Sequence, residues 1–355
     1  MKTNNLIKSI ENSFRKQVRK DSRIRNAYLL VHSEKEGIHI NIAEGSTGNM
    51  PANPHQPNYM ASVGKLFTSA ISGILVEKGK LSFEDKVTKY LDHELMNNLH
   101  LYKGKDYTDE VRIKHLLNQT SGLADNFRML LKELIKDQNL NITPREAVVW
   151  VKNNAKSHFP SGEGFKYTDT NYHLMGLVIE SITGEPFHDV LKKYIFEPLD
   201  MRHSYMHHYS DPMEKSQFPT ADFFVHETRL NDIKGYAELD YTGGGIVATT
   251  EDLFKFMKAL VTYKIVTKNT LEEMKNNRVR FGLGIDYGYG IWQIKTVPLL
   301  MPRKFNSWGV AGATGSFMFY HPEKDTYIIG NFNDFSYERK GVRYMLLNVI
   351  NRLSK

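Results

Sequence analysis

The chain has 355 residues, 41% of them hydrophobic, and a formal net charge of +7. That size and apolar content allow one large domain or two intimate ones around a substantial core, and argue against a disordered chain. Cysteine is absent, which excludes disulfides, thiolate metal sites and a cysteine nucleophile together.

The N-terminus leads into a charged amphipathic helix over residues 6–20 instead of a signal-peptide core. No apolar run reaches the roughly 18 residues of a membrane span. A cytoplasmic protein that does not cross a membrane is therefore expected. Lys8, Arg15, Lys16, Arg19, Lys20, Arg23 and Arg25 recur at helical spacings and read as a solvated face; no nucleic-acid motif accompanies them. Segments 27–32 and 38–42 read as strands of a hairpin turning at Lys35-Glu36-Gly37. From Ser62 to about residue 205 the pattern is mainly helical. Ser62-Val63-Gly64-Lys65 opens a helix that ends between residues 73 and 80, and residues 81–91 continue in amphipathic style. Further helices are expected over 111–117, over 143–154 after a Thr-Pro start, and over 171–183 with a stop at Gly184.

Gly243-Gly244-Gly245 reads as a tight connection, since no Walker lysine follows it. Thr249 with Asp252 then opens a helix in the manner of a capping box. Strands return over 289–295, 316–320 and 326–331, and a last helix covers 342–353. The fold class expected is α/β of the α+β type, an antiparallel sheet made by both termini and flanked by helices, with a mainly helical lobe inserted. Residues 1–355 form one unit, divided into a sheet lobe (1–61 plus 240–355) and a helical lobe (62–239).

The chemistry starts from Ser62 and Lys65, a hydroxyl and an amine one helical turn apart, hence on one helix face. First-turn N–H groups and the positive end of the helix dipole favour an oxyanion at that place. Three histidines, His203, His207 and His208, include a helical i, i+4 pair, but no acidic partner stands at ligand spacing; no metal and no cofactor is called for. His115 and His173 lie among apolar neighbours and read as structural.

Three segments resemble the serine β-lactamase and penicillin-binding-protein superfamily, in particular its class C branch, which also contains esterases and D-amino-acid-specific peptidases. They are Ser62-Val63-Gly64-Lys65, Tyr167-Thr168-Asp169 in the place of a Tyr-x-Asn segment, and Trp308-Gly309-Val310-Ala311-Gly312-Ala313-Thr314-Gly315 in the place of a Lys-Thr-Gly or His-x-Gly strand. The run from Ile113 to Leu123 is similar to a structural signature of that family. The resemblance implies a class C β-lactamase-like fold and a catalytic set of Ser62, Lys65, Tyr167 and Asp169. It also implies an oxyanion hole from the amides of Ser62 and Ala313, and substrate contacts at Asn126, Val310, Ala311 and Gly312.

Ser62 would form an acyl-enzyme and needs a base. A neutral lysine at pH 7 costs about 4.6 kcal/mol against its reference pKa, and Tyr167 is the second candidate; the sequence leaves the two open. Asp169 in place of asparagine favours a charged Lys65, which leads to the hypothesis of Lys65 as cation and Tyr167 as proton shuttle. Asp169 is also placed to cap the helix that follows. Aligned on Gly312, the motif puts Val310 where the family has a cation, so weak or no β-lactam turnover is expected. The expected function is that of a serine hydrolase acting on a small ester, amide or D-amino-acid-type peptide, its partner being that small-molecule or peptide substrate. The alternative is a catalytically retired penicillin-binding-like protein that binds a peptide or cell-wall fragment.

Overall fold

A computed structural model describes residues 2–354. Nine strands form one antiparallel sheet: β1 (Asn26–Ser33), β2 (Ile38–Thr47), β3 (Met50–Pro51), β4 (Val279–Gly282), β5 (Ile285–Tyr287), β6 (Trp292–Ile294), β7 (Ser307–Ala311), β8 (Phe317–His321) and β9 (Thr326–Asn331). Their spatial order is β4-β5-β6-β7-β8-β9-β1-β2-β3. The two ends of the chain meet in the middle of it, with Leu30 of β1 opposite Ile329 of β9.

Side-chain alternation decides the layering, because successive residues of a strand face opposite sides. Leu29 and Val31 face one apolar cluster and Leu30 another. In β7 and β8, Val310 and Met318 belong with Leu30, whereas Ala311, Phe317 and Phe319 belong with Leu29. The first cluster is covered by the helices of the middle of the chain. The second is covered by α1 (Lys2–Lys20), through Ile10, Phe14 and Val18, and by the C-terminal helical segment, through Met345, Val349 and Ile350.

The site is positioned by three further helices: α2 (Gly64–Glu77), α3 (Thr170–Thr183) and α4 (Lys234–Gly244). α2 is buried on nearly every side from Gly64 to Leu75, as befits a helix at the junction of the sheet with the helical block. α3 stops at Gly184, whose left-handed φ of 69° ends the helix as expected from the sequence. A helix begins at Pro144 with a reciprocal Thr143/Glu146 capping box.

Residues 81–91 depart from the expected amphipathic helix and contain only the short turn Val87–Lys89. Leu81, Phe83 and Val87 reach the core from an irregular chain that Lys86 bridges to Arg112. Around 289–295 the strand is confined to Trp292–Ile294, because the chain before it turns at Gly290, whose φ of 66° lies outside the extended region. Among the described residues no helix is long and apolar enough to cross a membrane.

Candidate active site

Ser62 lies in the tight turn Ala61–Val63 that leads directly into α2. Ala61 is held at φ 47°, a left-handed conformation uncommon for alanine. Space for the turn comes from paired glycines: a Cβ on Gly64 would stand 2.9 Å from the Cα of Gly244. Ser62 keeps part of its surface in solvent, whereas the Lys65 side chain is fully buried.

The Lys65 ammonium has three N–H donors, and three acceptors meet it. Its Nζ donates to Ser62 Oγ at 3.3 Å, to the Gly243 carbonyl at 2.9 Å and to Asp169 Oδ1. Burial opposes the charge, but the Asp169 carboxylate, followed by Tyr167 and Asp240, outweighs it and raises the lysine pKa above its ordinary value. Lys65 therefore stands in this site as a cation. The Tyr167 ring centroid lies 5.1 Å from its Nζ. Burial pushes the Tyr167 phenol up, against the pull of Lys65 and with the push of Asp169, so it is held in its neutral form.

Asp169 occupies the position before α3, yet its side chain makes no capping bond there and is spent on Lys65. This corrects the expectation that it also caps the helix. Its backbone N–H donates to Asp125 Oδ1 at 2.9 Å. The segment is locked by Gln119 of the run that the sequence marked as a family signature and by Ala124 just after that run. Thr168 and Thr170 hydroxyls both donate to the Ala124 carbonyl, at 3.0 and 2.8 Å. Gln119 Oε1 accepts from the Thr168 amide at 3.0 Å and from Asn171 Nδ2 at 2.7 Å.

From the sheet, Gly312 at the end of β7 brings backbone against backbone. A Cβ there would lie 2.3 Å from Ser316 Oγ, 2.8 Å from the Met60 carbonyl and 3.0 Å from the Ser62 amide nitrogen, so only glycine fits. Ser316 Oγ donates to the same Met60 carbonyl at 2.7 Å and ties the strand end to the serine turn. Ala313 follows, partly exposed. Val310 and Ala311 are placed differently from the expected substrate contacts: both side chains are buried, in the two opposite cores. Neither side chain is offered to a ligand. Asn126 is likewise turned inward, fully buried, with Nδ2 donating to His173 Nδ1 at 2.7 Å. His173 Nε2 then donates to the Leu239 carbonyl at 2.9 Å, and burial first of all holds its pKa near about 4, which makes it a structural histidine.

Three groups escaped the sequence reading. Gly243 supplies a carbonyl to Lys65 from the end of α4, where the helix is interrupted by Tyr241 at φ 32°. Asp125 is pushed up by burial and by the neighbouring Asp169. Asp240 is buried, accepts from the Tyr59 hydroxyl and, at 3.5 Å, from that of Tyr236, and is pushed up to about 7, mainly by burial, with Lys65 opposing and Asp169 adding to the shift. An aspartate in a glycine-rich or loop segment carries no periodicity, and nothing in the sequence marks these as neighbours of the Lys65–Asp169 pair.

His203 and His208 place ring nitrogens on the main-chain carbonyls of Glu214 and Asn231. No group of three or more potential metal ligands occurs among the described residues. A cavity of about 490 Å³ lined by Lys275, Gln293, Lys295, Arg303, Asn306 and Trp308 lies toward the far end of β7 and includes none of the Ser62 group.

A family model described as Beta-lactamase matches residues 16–349. Penicillin-binding protein 4* of Bacillus subtilis (strain 168) is 28% identical over 294 residues, which are 79% of this chain and 62% of that protein. The chain thus spans less than two thirds of the length of the curated relatives it matches. Among solved structures, D-amino acid amidase from Ochrobactrum anthropi SV3 superposes with a TM-score of 0.80 at 20% identity, covering 98% of both chains. EstCE1, described as a hydrolase with promiscuous acyltransferase activity, superposes at 0.78 and 19% identity over 99% of both. At such identities the likeness is one of fold.

Proposed function

We propose, on the premise that this chain belongs to the Beta-lactamase family and is a serine hydrolase of it, that Ser62 attacks a carbonyl carbon and is acylated. The observation that carries the reading is the saturated Lys65 ammonium, which donates to Ser62 Oγ and so leaves the serine's own hydrogen to point elsewhere. Tyr167 is the group beside it. Because its phenol is held neutral, it serves as a relay and not as a standing phenolate: Oη accepts the serine proton while its own proton passes to the leaving oxygen or nitrogen. Lys65 stays charged throughout and stabilises the serine oxygen as it gains charge.

The developing oxyanion is assigned to the amides of Ser62 and Ala313, a reading supported by the close approach of Gly312 to the Ser62 amide nitrogen; one such donor is typically worth about 2.7 to 4 kcal/mol. Water then attacks the acyl ester and the relay runs in reverse, returning a proton to Ser62 Oγ. Asp169, in direct contact with Lys65, and Asp240 act by setting the charge on that lysine. With Val310 buried where the family has a cation, no side chain there meets a substrate carboxylate. That disfavours penicillin and cephalosporin turnover and favours a small ester, an amide or a D-amino-acid peptide, in keeping with the D-amino acid amidase and the hydrolase with promiscuous acyltransferase activity among the structural neighbours.

The test is intact-mass analysis after exposure to a fluorophosphonate, with Ser62→Ala as control. One adduct on the native chain and none on the variant is expected. A native chain that stays unmodified would favour a retired enzyme that only binds peptide. Rates on p-nitrophenyl esters, D-alanyl peptides and nitrocefin then rank the substrates, with nitrocefin expected last.

A further inference from the structure

Beside Tyr167 the edge of the sheet carries a row of aromatic rings that the acylation scheme leaves unused. The Tyr167 ring meets Tyr287 edge-on, with centroids 5.9 Å apart and planes at 86°. Tyr287 lies 5.8 Å from Phe165 and 6.2 Å from Phe281. Phe281 is in turn 5.2 Å from Phe165 and 4.7 Å from Trp292. Tyr287 is buried, but Phe165, Tyr167, Phe281 and Trp292 each keep part of their surface in water. The row is continuous from the phenol to the sheet edge.

We propose, resting on the acyl-enzyme reading above, that this row is the binding wall for the leaving-group half of the substrate, whose alcohol or amine part is aromatic or bulky and apolar. The relay through Tyr167 puts the leaving atom next to that phenol, so whatever the atom carries is delivered to the rings that touch it. The wall is built for apolar contact. Asp286 alternates with Tyr287 along β5 and pairs with Arg280, which turns both to the other face of the hairpin, where Asp286 holds Arg278 and Lys295; Phe281, at an irregularity in the β4–β5 register, keeps to the side of Tyr287 by its ring contacts. Partly exposed aromatics converging on a few polar groups are the usual lining of a small-molecule site, and they contact an aromatic ligand edge-on or offset as they contact one another. Phe281 is the discriminating residue, since it joins Phe165 and Tyr287 to Trp292 and sits on β4, the outermost strand of the sheet.

The test compares two esters of butyric acid whose leaving alcohols have similar acidity, benzyl and 2-methoxyethyl. The native enzyme is expected to favour the benzyl ester in kcat/KM by about 10-fold or more. In Phe281→Ala that ratio is expected to fall by about 10-fold, and in Phe281→Leu, which keeps apolar bulk without a ring, by less. Fluorophosphonate labelling of Ser62 reports whether each variant has assembled its site, and the leucine variant carries the comparison where the alanine one is not labelled. A labelled native enzyme with no benzyl preference, or a preference that the variants leave whole, overturns the proposal by itself. An unlabelled Ser62 in the native enzyme overturns the acyl-enzyme reading, and the leaving-group wall with it.

Discussion

At the scale of single residues, the Lys65 ammonium is supported by two carboxylates, Asp169 and Asp240, and the proposed chemistry depends on how these groups share their protons. Replacing Asp169 by asparagine removes the strongest support for charge on Lys65, so the lysine pKa falls, by about 1 to 3 units for a close pair. The alkaline limb of the pH profile for Ser62 acylation is then expected to move to lower pH; a limb that stays in place would show that this carboxylate does not tune the lysine. Asp240 acts on stability. Its folded pKa, about 7, stands above the ordinary aspartate value of 3.8, so between those limits the folded state binds the extra proton and stability declines as pH rises, levelling off above about 7. Asp240→Asn should flatten that decline, gaining stability relative to the native chain at pH 8 but not at pH 4, by an amount on the order of a few kcal/mol. Thermal unfolding at the two pH values checks it. Ser62, Lys65, Tyr167 and Asp169 were legible because each sits in a short motif of fixed spacing. Asp125, Asp240 and Gly243 were not, because what makes them matter is burial beside Asp169 or Lys65 from distant segments.

Elements were legible where a local signal ends them. Thr143, Glu146 and Gly184 mark helix boundaries by hydrogen-bond and φ requirements that are visible in a few residues, whereas residues 81–91 share a helix-like apolar spacing that tertiary packing satisfies without a helix. β7 shows a subtler limit. Alternation along the strand is plain, but which face meets the ligand is decided by the neighbouring layers, and both Val310 and Ala311 are covered. The function of this strand rests on its end. Gly312→Ala should push β7 away from the Ser62 amide and lower kcat by about 10² to 10³, the loss typical of one oxyanion donor, while far-UV circular dichroism stays native. Activity retained at more than a tenth would remove Gly312 from the oxyanion argument.

For the whole molecule, the expectation of one sheet contributed by both termini agrees with the structure, and the pairing of β1 with β9 makes the two ends interdependent. Phe14 of α1 is 1% exposed and packs on Phe332 and Tyr344 from the other end of the chain. Phe14→Ala is expected to cost about 3 to 5 kcal/mol of stability. Its test pairs the midpoint of chemical denaturation, which should drop, with the rate of Ser62 labelling in buffer, which should not.

That closure of the sheet has a consequence for biosynthesis. A ribosome that has already released Ser62, Lys65, Tyr167 and Asp240 has not yet made the backbone that lies against the serine amide, which arrives with residue 312 and is held through the pairing of β7 with β8. On the acyl-enzyme proposal, a chain cut before residue 312 is expected to be inert whatever motifs it carries.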